Sequence, residues 1–373
     1  MIHRELRDER SSPMCLPKVR IVHNTDMTHD ASQKNRIGVM FSRKAWELSD
    51  ARSASLVFKL TSLGLLFLAF LPKSQSQTVA MTVDDLPYVP GLRPLNPNDR
   101  RSAILTNERI LHAFTRHHIP AIGFVNEKHG EQLGAPTNRK ILEQWIRSGF
   151  DLGNHFYAHA DVDSITVEQA EQEILRGETT IRPLLESASR EPRYMRFPYN
   201  HTGDTKEKHD AIAAFLAAHG YRMAPCTIDN SDYEFNQTYA LALARHDMRS
   251  AAKVRADYIA YTASEIDWYT KLDRQVFGRD LTHIMLLHDS LLNADTIEAV
   301  ITLFAERGYR FVTLTEALQD PAYATPETYI TKFGPMWGYR WARELNVNVN
   351  GRDEPDPPAW INQYVKEAPA SAN

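Results

Sequence analysis

Cysteine is nearly missing from this chain: Cys15 and Cys226 are the only two in 373 residues. That is too few for a disulfide framework, and with Cys15 in a segment read below as lying outside the folded body, Cys226 has no intrachain partner. Low-complexity tracts are missing too. So is an apolar run of the roughly 20 residues that a membrane-spanning helix needs. At 43% hydrophobic and 24% charged, the composition excludes a disordered or collagen-like chain and suffices to bury a core without disulfide or metal staples.

The first 76 residues stand apart. They are polar and irregular to about Ser55, then turn apolar from Leu60 to Leu71, with Lys59 before the run and Lys73-Ser-Gln-Ser-Gln77 after it. A basic flank, a short apolar stretch and small residues at Ser74 and Ser76 describe a secretory signal peptide cut after Ser76. An uncleaved anchor tethered to the membrane through residues 56–71 and a buried helix remain alternatives, and Met40 is a second candidate start. The expectation is therefore an exported protein, periplasmic or extracellular, or one held at the membrane by its leader. Beyond the leader, 31 Lys and Arg face 40 Asp and Glu. That acidic balance argues against nucleic acid or a strongly anionic polymer as the main partner, and says little about a neutral sugar.

From Gln77 onward, short apolar runs alternate with helical periodicity. Thr78–Val83 and Ala121–Val125 read as strands. Ile104, Ile110, Leu111 and Phe114 mark one helix face, and Ile141, Leu142, Trp145 and Ile146 mark another. Val167, Ala170, Ile174, Ile181 and Leu184 keep a 3.6-residue period over one longer helix. One junction recurs: Arg147-Ser-Gly149-Phe150, Ala218-His-Gly220-Tyr221 and Glu306-Arg-Gly308-Tyr309 each end a helix on glycine and open the next strand on an aromatic. Such repeated β/α units predict an α/β fold with a parallel sheet, closed into a barrel if the polar residues at its strand ends converge. Residues 77–320 form this body, and 321–373 read as an extension packed on it through Tyr323, Trp337, Trp341 and Trp360.

Charged and imidazole groups stand where strands end, the place where loops of β/α folds meet on one face. Asp84 and Asp85 follow Met81-Thr-Val83, and the strand is expected to stop there so that both can face one cavity. Adjacent carboxylates repel, and a cation that takes one of them would relieve that. A solvated turn is the plain alternative. His155 and His159, four apart, suit a transition metal of the zinc type. A zinc protease would carry Glu directly after the first histidine, and Phe156 stands there instead. Arg196 could hold a carboxylate ionised, or make an ordinary surface ion pair, with Asp229 or Asp232 orienting it in turn. Ile284–Leu287 is a buried-strand run ending in His288, which a nearby carboxylate would make a general acid.

Taken together, the stretch from about Thr78 to Ala317 resembles carbohydrate esterase family 4, the polysaccharide deacetylases. Five blocks appear in order: Thr82-Val-Asp84-Asp85, His155-Phe-Tyr-Ala-His159, Arg196-Phe-Pro-Tyr199, Asp229-Asn-Ser-Asp232-Tyr233 and Leu286-Leu-His288. The resemblance implies a distorted (β/α) barrel of the deacetylase type, with Asp84 as catalytic base and Asp85, His155 and His159 as ligands of a divalent metal. That metal would be Zn2+, with Co2+, Ni2+ or Mn2+ as alternatives. It further implies that Arg196 and Asp229 orient the base, that the Tyr199 backbone N–H helps hold the oxyanion, that His288 is the acid, and that Leu286 and Tyr233 line the acetyl pocket or groove. Three positions depart from the family pattern: Phe156 in place of a small hydroxyl residue, Val83 in place of Phe, and Tyr233 in place of Trp. The first bears on the loop that carries the ligands, the third on the groove.

Three functions compete on this reading. The first is hydrolytic removal of acetate from an N-acetylated polysaccharide or oligosaccharide. The second is a related hydrolase of O-acetyl esters, small amides or cyclic imides, narrowed by a lid from residues 234–279 unless the aromatics there are helix packing. The third is an inactive carbohydrate-binding protein. Sequence does not separate the possible sugars, acyl linkages or oligomeric states.

Overall fold

The computed structural model describes residues 77–367, so the expected leader at 1–76 lies outside the described residues. Seven strands are described: β1 (Thr78–Val89), β2 (Ala121–Val125), β3 (Asp151–Asn154), β4 (Tyr194–Met195), β5 (Arg222–Met223), β6 (Thr282–Ser290) and β7 (Arg310–Phe311). Six lie side by side in the order β5-β4-β3-β2-β1-β6, and β7 pairs with the first residues of β1. Every pairing is parallel. Past β5 the chain reaches β6, where Ile228 bridges Met285 and the Thr227 and Ile228 amides both donate to the Ile284 carbonyl. The sheet thus curls round toward itself as a distorted β/α barrel, the architecture expected from the alternation.

Helices α1 (Arg100–Arg116), α2 (Glu127–Leu133), α3 (Ala135–Arg147), α4 (Val167–Arg176), α5 (Ile181–Ser187) and α6 (Lys206–Ala218) connect the first five strands. Parallel strands covered on both faces should be apolar throughout, and all five residues of β2 are buried. The α1 stripe buries Ile110, Leu111 and Phe114 against that sheet, while Trp145 of α3 is fully buried and donates through Nε1 to Asn107 (2.8 Å). Each recurring glycine sits in the left-handed region: Gly149 at φ 84°, Gly220 at 73° and Gly308 at 76°. The aromatic that follows each one, Phe150, Tyr221 or Tyr309, is buried.

Two expectations need correction. The helix foreseen from Val167 to Leu184 is two helices, α4 and α5, broken around Gly177. A side chain there would strike Asn154, whose Oδ1 lies 2.4 Å from where a Cβ would sit. Nor does the first strand stop at Asp85. β1 runs on to Val89, and its register against β2 slips between Val83 and Leu86. Asp85 adopts φ 59° inside that irregularity, a bulge that re-aims side chains without ending the strand.

Downstream of β5 come α7 (Asp232–Ala244), the long α8 (Met248–Phe277), α9 (Leu291–Glu306) after β6 and the short α10 (Leu314–Ala317) after β7. Tyr258, Tyr261 and Tyr269 of α8 are buried, so these aromatics pack helices and do not form a lid. In the final segment, α11 (Trp337–Glu344) buries Trp337 and Trp341, with Trp341 edge-on to Phe277 and Tyr323, both at 5.3 Å. α12 (Trp360–Lys366) buries Ile361, and Trp360 donates to Asp257 (2.7 Å). Replacing a buried Trp by Ala typically costs about 3–5 kcal/mol. Cys226 is buried and free, and no helix among the described residues is long and apolar enough to cross a membrane.

Candidate active site

The five sequence blocks meet at the ends of β1, β3, β4 and β6 and the start of α7. Register does much of this. Asp84 and His288 are partners on the neighbouring strands β1 and β6, and the His155 and Arg196 amides extend the β3 ladder on its two sides by donating to Val125 and Asn154 carbonyls (3.0 Å each). Six residues of these segments hold left-handed backbone without being glycine: Asp85, Phe156, His159, Tyr199, Asn200 and Ser231. Strained backbone gathers at functional sites because a specific side-chain direction is retained at a local cost.

At the centre, Asp85 Oδ1 lies 3.6 Å from His155 Nε2 and 3.5 Å from His159 Nε2. This oxygen is buried and accepts no hydrogen bond, a costly state for a carboxylate unless a cation fills the gap. His155 is fixed for that task. Its Nδ1–H donates to the Arg196 carbonyl (2.9 Å), which leaves the Nε2 lone pair facing Asp85. One carboxylate oxygen and two imidazole nitrogens are the donor set of a zinc-type ion, so the residues fit the metal that the sequence implied. Burial lowers the His155 pKa to about 4, against the pull of Asp84 and Asp85, and so keeps the ring neutral, as a ligand must be. Burial works to raise Asp85, but the neighbouring histidines, His159 first, hold it well below the usual carboxylate range.

Around this cluster stand two acid pairs. Arg196, 2% exposed, donates through Nη1 to Asp84 Oδ1 and to the Thr82 hydroxyl, both at 2.7 Å, and through Nε to the Ala224 carbonyl (3.0 Å). Its guanidinium lies over the Phe124 ring at 4.5 Å. Neither Asp229 nor Asp232 reaches it, contrary to expectation. The Asp229 carboxylate turns back to accept from the Ser231 amide (2.9 Å), and burial raises its pKa to about 6. With Ser231 left-handed, α7 starts at Asp232 and points that carboxylate at His288.

His288 donates to Asp232 through both Nδ1 (2.6 Å) and its backbone amide (2.7 Å). Asn293 of α9 also donates to Asp232 and to the His288 carbonyl, and Tyr258 of α8 donates to Asn293 (2.6 Å). Burial disfavours the charged ring, but the Asp232 charge and hydrogen bond, with Asp85 and Asp84 behind them, outweigh it and raise the His288 pKa to about 10. At neutral pH the ring is an imidazolium with Nε2–H to give.

Tyr199 is 55% exposed and sets its ring 4.7 Å from that of His159, while Tyr233, 46% exposed, stands 6.1 Å from His288. Leu286 is buried one turn of the ladder below. Phe156 is fully buried against Phe197 (5.7 Å), in a cluster with Val162, Ile174 and Met195. Its amide donates to Asn154 Oδ1 (2.9 Å), so the loop between the two ligands is anchored at this position. Sequence reasoning passed over Thr82, Asn293 and His129. The last sits in α2 just past β2, where burial lowers its pKa and the Asp85 charge opposes that.

With this geometry in view, the comparisons with known proteins point the same way as the sequence blocks. The polysaccharide deacetylase family matches residues 72–224. Over that stretch the chain is similar to the family, in line with the resemblance read from its five blocks. That family, carbohydrate esterase family 4, comprises hydrolases acting on carbon–nitrogen bonds together with some pseudoenzymes. A chitin deacetylase of Colletotrichum lindemuthianum is 23% identical over 253 residues, 66% of this chain and 82% of that protein. A second, from Arthroderma benhamiae, is 23% identical over 248 residues, 65% of this chain and about half (52%) of that protein's length. Among solved structures, a peptidoglycan deacetylase of Bacillus subtilis aligns at TM-score 0.42 with 18% identity, covering 66% of this chain and 91% of its own. A family pseudoenzyme of Bacillus anthracis aligns at 0.44 with 14% identity, covering 66% of each. The matched region includes Asp84, Asp85, His155, His159, Arg196 and Tyr199, while Asp232 and His288 lie beyond it.

Proposed function

We propose that the protein removes acetate hydrolytically from an N-acetylated glycan, using a divalent metal of the zinc type held by Asp85, His155 and His159. One observation carries the reading: a buried Asp85 oxygen without a hydrogen-bond partner, facing two imidazole nitrogens at 3.5 and 3.6 Å. The ion, when bound, supplies Lewis acidity toward the acetyl carbonyl and lowers the pKa of the attacking water. The protein's own groups do the rest. Asp84, oriented by its hydrogen bond from Arg196, takes a proton from the water as its oxygen adds to the carbonyl carbon. As the carbon–nitrogen bond breaks and acetate departs, His288 gives its Nε2 proton to the leaving amine, and Asp232 stabilises the imidazolium until then. The Tyr199 amide serves as an oxyanion donor, a contribution of about 3–4 kcal/mol for one well-placed group. Tyr199 and Tyr233 offer exposed rings for sugar faces, and Leu286 lines the acetyl pocket. In this scheme Asp232 orients the acid, His288, a role distinct from the one foreseen for Asp229 at the base.

Metal analysis of the purified protein, followed by acetate release from N-acetylglucosamine oligomers, acetylated xylan and small amides, tests this. Activity confined to the oligomers, abolished by chelation, restored by Zn2+ and reduced at least about a hundredfold in Asp84→Asn is expected. Turnover of esters or small amides alone redirects the reading to another acyl linkage, and glycan binding without any turnover leaves only a carbohydrate-binding role. Acetate release that survives chelation removes the metal from the scheme.

We also propose export, supported by the apolar run Leu60–Leu71 with lysines on both sides. A mature protein beginning at Gln77 by N-terminal sequencing is the expected result; one retained in the cytoplasm with its full N-terminus rules export out.

A further inference from the structure

Between Pro198 and Gly203 the chain leaving β4 makes a turn with Tyr199 at φ 60° and Asn200 at φ 56°. Two adjacent left-handed residues that are not glycine are unfavourable and persist only where neighbours hold them. One set of neighbours lies 40 residues upstream: His201 Nδ1 bonds Asp161 (2.7 Å), and the Gly203 amide donates to Asp163 (3.1 Å). The other comes from far downstream. Arg340, 1% exposed, donates through Nη2 to the Asn200 carbonyl (2.6 Å) and through Nη1 to the Thr202 hydroxyl (3.1 Å), with its Nε fixed on the Pro335 carbonyl (3.1 Å). Glu327 pairs with Arg340 and accepts from His209 (2.9 Å) and Thr202 (3.2 Å) as well. Gly334 approaches so closely that a Cβ there would stand 1.8 Å from the Tyr199 carbonyl oxygen. Met336 Sδ meets Asn200 Nδ2 at 3.6 Å, and the Trp337 amide donates to the Cys226 carbonyl (3.3 Å).

Docking a terminal segment does not call for a buried guanidinium, since apolar packing alone is often as stabilising. Here the donors of Arg340 fall on the turn that, among the described residues, holds two adjacent left-handed residues that are not glycine. We infer that Arg340 is a positioning residue: with Gly334 it locks the Tyr199–Asn200 turn in the shape that presents Tyr199 to the Asp85–His155–His159 cluster, which makes residues 327–341 part of the working site. The consequence for turnover rests on the deacetylase reading above; the lock itself does not.

Two variants of the full, zinc-loaded chain separate these. Arg340→Lys keeps the charge but cannot span Asn200, Thr202 and Glu327 at once, and Gly334→Ala leaves Arg340 intact while pressing on the Tyr199 carbonyl. Amide hydrogen exchange over residues 197–203 is expected to accelerate about tenfold or more in both, with β1 and β6 as in the wild type. On N-acetylglucosamine oligomers, kcat is expected to fall about tenfold or more with KM within about threefold and zinc content unchanged, because misplacing one group damages the transition state more than binding. Unchanged exchange in the variants that fold overturns the lock, and faster exchange with unchanged kcat overturns the positioning role. Faster exchange in a protein whose wild type releases no acetate upholds the lock and counts against the deacetylase reading instead.

Discussion

Asp84 and His288 face one another across β1 and β6, yet their partners prepare them for opposite work. Arg196 holds Asp84 ready to accept a proton, and Asp232 holds His288 ready to give one. A guanidinium on one group and a carboxylate on the other suit the pair to serve as base and acid. Asp232→Asn keeps the hydrogen bond to Nδ1 and removes the charge, leaving burial to push the ring's pKa down from about 10. The acid must be protonated, so activity is lost as pH rises through that pKa. In the variant the basic limb of kcat/KM should therefore move to lower pH by about 2 units or more. A pH–rate profile with an unmoved limb would show that His288 is not the acid. The chemistry-bearing residues were legible in the sequence because each follows a strand-like run. The pairing was not. Asp229 and Asp232 sit three apart in one block, and which of them meets His288 depends on where α7 begins, a matter settled by the left-handed Ser231.

Elements announce themselves through periodicity and fail to do so where a distant side chain intrudes. Gly149, Gly220 and Gly308 were readable as helix ends because the requirement is local: each needs positive φ, and a Cβ on any of the three would meet nothing within 4 Å. Gly177 carries the opposite kind of constraint. Its φ is ordinary for a helix end, and what it must make room for is Asn154, which donates to the Ile174 carbonyl (2.8 Å) and accepts from the Phe156 amide. No period in the sequence reports that contact, which is why α4 and α5 read as one helix. Gly177→Ala should push Asn154 off both bonds and destabilise the protein by about 1–3 kcal/mol, the cost of buried polar groups left unsatisfied. Urea unfolding would measure it. Because Asn154 directly precedes His155, zinc affinity should fall as well; a variant of wild-type stability and affinity would show that Asn154 has another place to go.

At the scale of the molecule, the cluster joins β1 to the loop after β3, two segments some 70 residues apart in sequence, and the terminal segment closes over the same end of the barrel. The sequence showed that end segment as an extension packed through its aromatics, Trp341 among them, but burial of Arg340, 1% exposed, depends on partners no local pattern encodes. An ion bound by side chains that meet only in the folded state stabilises that state by mass action, about 4 kcal/mol at a thousandfold excess over its dissociation constant. For a domain of this size, that raises the thermal midpoint by roughly 10 °C. Calorimetry should show the rise on adding Zn2+ to the metal-free protein, and should find most of it gone in Asp85→Asn and in His159→Ala. The choice of variants guards against a second set of metal-capable side chains, Asp161, Asp163 and His201. There His201 Nδ1 is already engaged by Asp161, and Lys208 donates to the Asp163 carbonyl (3.1 Å), bringing a positive charge beside the group. Asp161→Asn should therefore keep the zinc-induced rise in full. If Asp161→Asn lost it and Asp85→Asn kept it, the ion would belong to that second group and the proposed chemistry at Asp84 would lack its Lewis acid.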